Sequence, residues 1–383
     1  MSDELRKESK RLLSDAVFQQ GLDSEESYLP DHIDATLRSY SKVLKDKPFW
    51  EAFYKIHYPG HPNEYGYFTS AIDEFSVSIG KCFEAYYLGK ISKAYSCLKE
   101  GLNKILYGTS KLFNDAVLIY PEKELNLYRI RVRKDSDTDE FGRKEMFHIP
   151  FNQRGKVSTQ RYSIPGHPSL YLGDSIFVCW KELNQPSVKS IYASRYENST
   201  ELKVIEIKSV HELLEEIESL DGTELSSTIF RFLLLYPLTV ASSIKVAERQ
   251  DSFKPEYIVP QLFLQYILDE KSELDGIKYF STRVETGRTN NVGTSNFVFP
   301  SKTNKKEGYC PELISKFRLT HPVLWEYEEI NVSNATFLNN SIDGNKLIEL
   351  YKGRKVPYHW TTFSAIEKTL GYDSFKLESL SET

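Results

Sequence analysis

Gln160-Arg161-Tyr162-Ser163-Ile164-Pro165-Gly166-His167-Pro168-Ser169-Leu170-Tyr171-Leu172-Gly173 decides how this chain is read, and Trp180-Lys181-Glu182-Leu183 closes the segment. An Arg-Tyr pair precedes a Pro-Gly-His-Pro turn, and proline and glycine there fix the direction of whatever flanks them. Ser169–Leu172 reads as a short strand, because a β-favouring run is bounded by turn residues. Glu182 lies eleven residues after Tyr171 and reads as part of the helix that follows.

Working outward, Arg129 in Leu127-Tyr128-Arg129 and Arg154 in Phe147-His148-Ile149-Pro150-Phe151-Asn152-Gln153-Arg154 sit in or beside strand-like segments. Arginine presents a rigid fork of donors that suits phosphate. Tyr162 and Tyr171 offer planar faces for a nitrogen heterocycle. Arginine, aromatic and carboxylate together suit a dinucleotide whose glycosidic bond is to be broken: Arg on pyrophosphate, Tyr on the base, carboxylate on ribose, by analogy with glycoside hydrolysis. The same residues also read as surface ion pairs and core aromatics, and composition alone does not choose between the two.

The texture changes along the chain. From Pro30 to Gly108, apolar residues recur at helical steps: Ile33, Leu37, Tyr40 and Leu44; Ile72, Phe75, Ile79, Cys82, Phe83 and Tyr86; Ile91, Ala94, Tyr95, Leu98, Leu102, Ile105 and Leu106. After Pro121 come short strand-like runs, Leu125–Val132, Ser169–Leu172, Leu202–Ile207, Ile277–Ser281 and Asn296–Phe299, with helical pieces between them. Ser209 and Glu212 form a capping-box pattern, and further helices are expected at Pro260–Asp269 and Thr362–Leu370. The fold class is therefore α+β: an all-helical N-terminal domain over 1–118, a mixed α+β domain over 119–335, and a C-terminal extension over 336–383.

A length of 383 residues suits two or three domains, and 40% hydrophobic residues suffice for a core. A net charge of −5 argues against bulk binding of nucleic acid. Four scattered cysteines without a C-x-x-C suggest reduced thiols. Met1–Lys10 is charged and has no apolar segment of the signal-peptide kind. The longest apolar run, Ile229–Ile244, is broken by Arg231 and Pro237 and reads as a core element. A cytoplasmic protein that does not engage a membrane is expected. Phosphate-loop, dinucleotide-loop, H-E-x-x-H and G-x-S-x-G motifs are absent, and the histidines lack metal-ligand spacing, so no metal is expected.

Gln160–Gly173 followed by Lys181-Glu182-Leu183 resembles the signature of the RES domain family: an Arg-aromatic pair, a Pro-Gly turn, a Leu-Tyr strand, then a helix with a fixed glutamate. Tyr128-Arg129 resembles that family's opening strand. Asp275-Gly276-Ile277-Lys278-Tyr279-Phe280-Ser281-Thr282-Arg283 resembles its closing motif, and Asn296–Phe299 its final strand. The chain departs from the family at Thr159-Gln160, where Gly-Gly is usual, and at Tyr162, where Trp is usual. The resemblance implies an ADP-ribosyltransferase-like fold and a bacterial toxin or defence effector that consumes NAD⁺ as substrate, by degradation or ADP-ribosyl transfer. The family's Arg, Glu and Ser would be Arg129 or Arg161, Glu182 and Ser281. Glu182, Arg161 and Ser281 would be catalytic or support the catalytic carboxylate. Arg129 and Arg161 would bind the phosphates, Tyr171 would stack on nicotinamide and Glu182 would serve the nicotinamide ribose, with Tyr162, Tyr128 and Arg154 as further binding candidates. The partners implied are NAD⁺, an antitoxin or a protein acceptor of ADP-ribose, and a second copy of the chain as a homodimer.

Two other readings use different residues. Ile205-Glu206-Ile207-Lys208 resembles the E-x-K end of a metal-dependent nuclease, with Asp174 as an upstream ligand. Alternatively, the domain binds a nucleotide without catalysis.

Overall fold

The computed structural model describes residues 1–19, 28–57, 65–107, 112–134, 140–248, 250–269, 272–284, 289–290, 292–326, 346–351 and 353–381. The chain is α+β: described residues up to Ala116 form helices alone, and beyond them strands and helices mix. By its own contacts the chain divides into two units. The mostly helical unit gathers Met1–Leu118, Gln160–Ser163 and Ile205–Asp269. The sheet unit gathers Ile119–Thr159, Ile164–Val204 and Glu270–Thr383. Residues 205–269, read from the sequence with the sheet, thus fold with the helices. The expected division at 335/336 lies outside the described residues.

Amphipathic spacing builds the helical unit. Helix Leu29–Val43 has proline in its first turn and buries Ile33, Leu37 and Tyr40. Helix Tyr65–Tyr87 buries Ile72, Phe75, Ile79, Cys82 and Phe83. Helix Ile91–Tyr107 buries Ala94, Leu98, Leu102, Ile105 and Leu106, while Ile91 at its start is 45% exposed. Ser2–Leu13 is also helical, with Asp3 and Glu4 in the first turn and Lys10 and Arg11 in the last, matching the helix dipole. These stripes need an apolar partner, and helix Gly222–Ser243 supplies it. That helix is buried almost all round, which explains why 205–269 joins this unit. Tyr40 donates to Leu233 O at 2.5 Å and Tyr236 to Val17 O at 2.7 Å. Gly222–Ser243 is long and apolar enough to cross a membrane, but 89% of its apolar window is buried.

Strands β1 (Val117–Tyr120) and β5 (Leu202–Ile207) have residues in both units. The sheet unit holds β2 (Asn126–Val132), β3 (Ser169–Gly173), β4 (Ile191–Asn198), β6 (Gly276–Phe280), β7 (Thr289–Asn290), β8 (Ser295–Pro300), β9 (Phe317–Leu319), β10 (Val323–Leu324), β11 (Leu347–Tyr351), β12 (Arg354–Pro357) and β13 (Glu378–Ser379). Its main sheet runs β6-β8-β3-β2-β4-β9-β13, with β10 also against β4. A second sheet runs β12-β11-β7. Strand β8 is buried at every residue, as befits a strand flanked on both sides. Strand β4 carries no strong strand signal, since Ala193, Ser194, Arg195, Glu197 and Asn198 are weak strand formers, yet it pairs with β2 from Asn126↔Glu197 to Val132↔Ile191. Burial between neighbours makes it a strand where local propensity does not.

Helix Ile176–Glu182 packs on this sheet. Its Ile176, Phe177, Val178 and Cys179 join Tyr128 and Ile130 of β2, Ile191 and Ala193 of β4, and Tyr358, Phe363 and Ile366 in one core. The approach to β3 is so close that a Cβ on Gly173 would stand 2.7 Å from both Cys179 Sγ and Val178 Cγ1.

Candidate active site

The helix that carries Glu182 is fixed first at its start. Ser175 Oγ accepts from Val178 N at 3.1 Å and donates to Gly293 O at 2.6 Å. Glu182 is the last helical residue, and Asn184 and Gln185 follow in left-handed backbone, with φ of 62° and 56°. A carboxylate at this end faces the negative pole of the helix, which is unfavourable by roughly 0.3–1 kcal/mol. A set of donors offsets that.

Ser281, just after β6, donates to Glu182 Oε1 at 2.6 Å. Asn296 Nδ2, on β8, donates to the same oxygen at 3.0 Å. Arg283 Nε stands 3.1 Å from Glu182 Oε2. Arg283 is itself held, because its backbone N donates to Ser281 Oγ at 3.1 Å and its Nη1 to Asn184 Oδ1. Ser281 Oγ spends its one proton on Glu182, so it orients the carboxyl group and is not poised as a nucleophile. Ser281 and Asn296 are 3% and 6% exposed, whereas the Glu182 side chain keeps 31% of its surface. The carboxyl group is thus gripped from inside and open outside.

Arg129 leaves β2 opposite Ser194 of β4. Its Nη1 is buried with no hydrogen-bond partner, and so is Ser194 Oγ. Burial pulls Arg129 below the usual arginine range, and the phenols of Tyr196 and Tyr171 pull the other way. A half-buried cation with a buried, unused donor is costly unless a ligand completes it. Tyr171 lies within electrostatic reach of that guanidinium, and burial raises its hydroxyl above the ordinary range. Tyr128 and Ile130, on either side of Arg129 in β2, face helix Ile176–Glu182, so Arg129 leaves the strand on the face of the sheet away from that helix.

Other residues singled out by the sequence have structural partners. Tyr128 is a core residue whose hydroxyl accepts from Asn126 Nδ2 at 3.1 Å. Arg154 donates to Gly166 O at 3.0 Å and to Asn304 Oδ1 at 2.7 Å, and lies 4.7 Å over the Phe151 ring. It thereby pins the Pro165–Pro168 turn, where Gly166 has φ of 75°. Arg161 and Tyr162 fold with the helical unit. Arg161 donates to Ser242 O and Ile244 O, each at 2.8 Å, and lies 5.4 Å over the Tyr257 ring. Its fork is spent on the open carbonyls at the end of helix Gly222–Ser243. Tyr162 is 1% exposed, and burial raises its hydroxyl.

The nuclease motif does not open a site. Lys208 Nζ is 3.0 Å from Glu206 Oε2 and is also paired with Glu216. Asp174 accepts from Ser295 N at 3.1 Å on both oxygens. Among the described residues no three His, Cys, Asp or Glu side chains gather as metal ligands would.

Sequence reading missed the roles of Asn296 and Arg283 in holding Glu182. A detectable signal existed for Asn296: a lone amide leading the apolar run Phe297-Val298-Phe299 needs an internal partner when buried.

The RES domain model matches residues 126–299, from the first residue of β2 to within β8. A protein of Bacillus subtilis (strain 168) named “Putative toxin YopC” is 31% identical over 312 residues, covering 78% of this chain and 68% of that protein. No solved structure matches the chain. Arg129, Glu182, Ser281, Arg283 and Asn296 all lie inside the matched segment, and the chain belongs to the RES domain family.

Proposed function

We propose that this protein is an enzyme that consumes NAD⁺, breaking the bond between nicotinamide and ribose and passing ADP-ribose to an acceptor. The observation that carries this reading is the Glu182 carboxyl group, gripped by Ser281, Asn296 and Arg283 yet one-third open. As the ribose C1′–nitrogen bond breaks, its electron pair stays on the nicotinamide nitrogen and neutralises the pyridinium. Positive charge builds on the ribose, and a fixed carboxylate beside it lowers the barrier. An acceptor oxygen (water, phosphate or a protein hydroxyl) then closes on C1′ and releases its proton to solvent.

The buried Nη1 of Arg129 supports the reading, because a phosphate oxygen would satisfy it. Tyr171 on β3 offers a face for the nicotinamide ring. In this reading Tyr128 and Arg154 serve the fold of the sheet unit, and Arg161 and Tyr162 that of the helical unit. The name of the Bacillus relative favours a toxin, with an antitoxin protein as its partner.

Nicotinamide release from NAD⁺ by the full chain, wild type beside Glu182→Gln, with and without phosphate, tests this. We expect the substitution to lower turnover ~1,000-fold or more, the scale at which a preorganised electrostatic group acts. A phosphate-dependent rate would name the acceptor. Wild-type protein that binds NAD⁺ without releasing nicotinamide would make this a nucleotide-binding module, and protein that does neither would refute the reading.

A further inference from the structure

Glu182 is held at one end of a short helix, and a second carboxyl group holds the other. Glu367 lies on helix Thr362–Thr369, beyond the segment that matches the family model. Its Oε1 accepts from Ile176 N at 2.7 Å and from the Tyr358 hydroxyl at 2.6 Å. Ile176 is the first residue of the helix that ends at Glu182. The same C-terminal helix sends Phe363 onto that element: its ring meets Phe177 at 5.6 Å and Trp180 at 5.3 Å between centroids. Ile366 and Leu370 complete the shared core.

A seven-residue helix has little stability of its own, so its position is set by what grips it. Ser175 serves the Val178 amide. The Ile176 amide would be open without Glu367. A half-buried carboxyl group is an expensive way to satisfy one amide and one phenol, where a smaller neutral acceptor would serve. Burial pushes Glu367 up to about 7, against the pull of Tyr358, Ile176 N and Lys346.

We propose that Glu367 is a positioning residue for the site: by binding the start of helix Ile176–Glu182 it fixes where Glu182 stands at the end. The C-terminal segment is then part of the working site and not an appendage. The role of Glu182 rests on the reading above, while the grip on the helix does not.

The test uses the full chain with Glu367→Ala and Glu367→Gln; glutamine retains an acceptor oxygen. Two quantities are read: amide hydrogen exchange of the peptide covering 176–183, and kcat and KM for nicotinamide release from NAD⁺. Glu367→Ala should speed exchange in that peptide at least tenfold relative to β8, and lower kcat about tenfold while KM moves less than twofold. Glu367→Gln should restore both to within about threefold of wild type. Wild-type exchange in folded Glu367→Ala overturns the proposal, as does loss of kcat in Glu367→Gln equal to that in Glu367→Ala. If Glu367→Ala does not fold, Glu367→Asp, one methylene shorter, takes its place. Wild-type protein without turnover would defeat the functional reading alone, since exchange still reports the grip.

Discussion

Arg129 and Arg161 are both half-buried arginines with tyrosines nearby, and they end differently. In the helical unit the Arg161 fork is consumed by Ser242 O and Ile244 O. Lys208, in the same unit, is closed between Glu206 and Glu216. In the sheet unit the Arg129 Nη1 has no partner and the Glu182 carboxyl group is partly open. Charges that complete one another inside a unit hold it together. Charges left incomplete are a cost to the fold that a ligand can offset. Residue type does not separate the two kinds; the inventory of partners does.

Substitutions can break this contrast. The largest effect after that of Glu182 is expected at Arg129. Arg129→Met should weaken NAD⁺ binding about 10- to 100-fold, the worth of a charge-assisted hydrogen bond of ~1.5–3 kcal/mol. It should leave thermal stability unchanged or raised, because a buried cation with an open donor is replaced by a thioether. Calorimetric titration and a melting curve on one sample check both. A fall in stability with unchanged binding would mean that Arg129 is a structural residue.

Arg161→Ala should show the opposite pattern. Freeing two helix-end carbonyls should destabilise the protein by about 1–3 kcal/mol in denaturant unfolding, with NAD⁺ affinity within twofold of wild type. A large loss of affinity without a loss of stability would place Arg161 in the binding machinery after all. The smallest effect is expected at Lys208. Lys208→Met should change stability by about 1 kcal/mol or less and leave nicotinamide release unaltered, whereas any nuclease activity that it abolished would revive the E-x-K reading.

Much of this was legible in the sequence, for identifiable reasons. Helical spacing places Ile33, Leu37 and Tyr40 correctly because a one-sided stripe has only one way to be buried. The pairing of Ser281 with Glu182 came from family motifs, since nothing in composition links residues so far apart. Helix Gly222–Ser243 carries no stripe, so its sequence says that it is buried but not against what. The fate of Arg161 was hidden for another reason: its partners are backbone carbonyls, which every residue has. Glu367 stands in an ordinary helical run, and only its neighbours distinguish it.

The dispersal of these pieces along the chain has a consequence for synthesis. Glu182 leaves the ribosome long before Ser281 and Asn296, and longer still before Glu367, 185 positions on (367 − 182). At ~5–20 residues per second that interval lasts about 10–40 s. The helical unit is likewise incomplete until the segment ending at Asp269 has been made. For those 185 positions, just under half of the 383 residues, Glu182 lacks its full set of partners. On the proposed reading, the protein would not consume NAD⁺ until Glu367 and its neighbours had been made, and an inhibitor synthesised alongside it would have that time to find it.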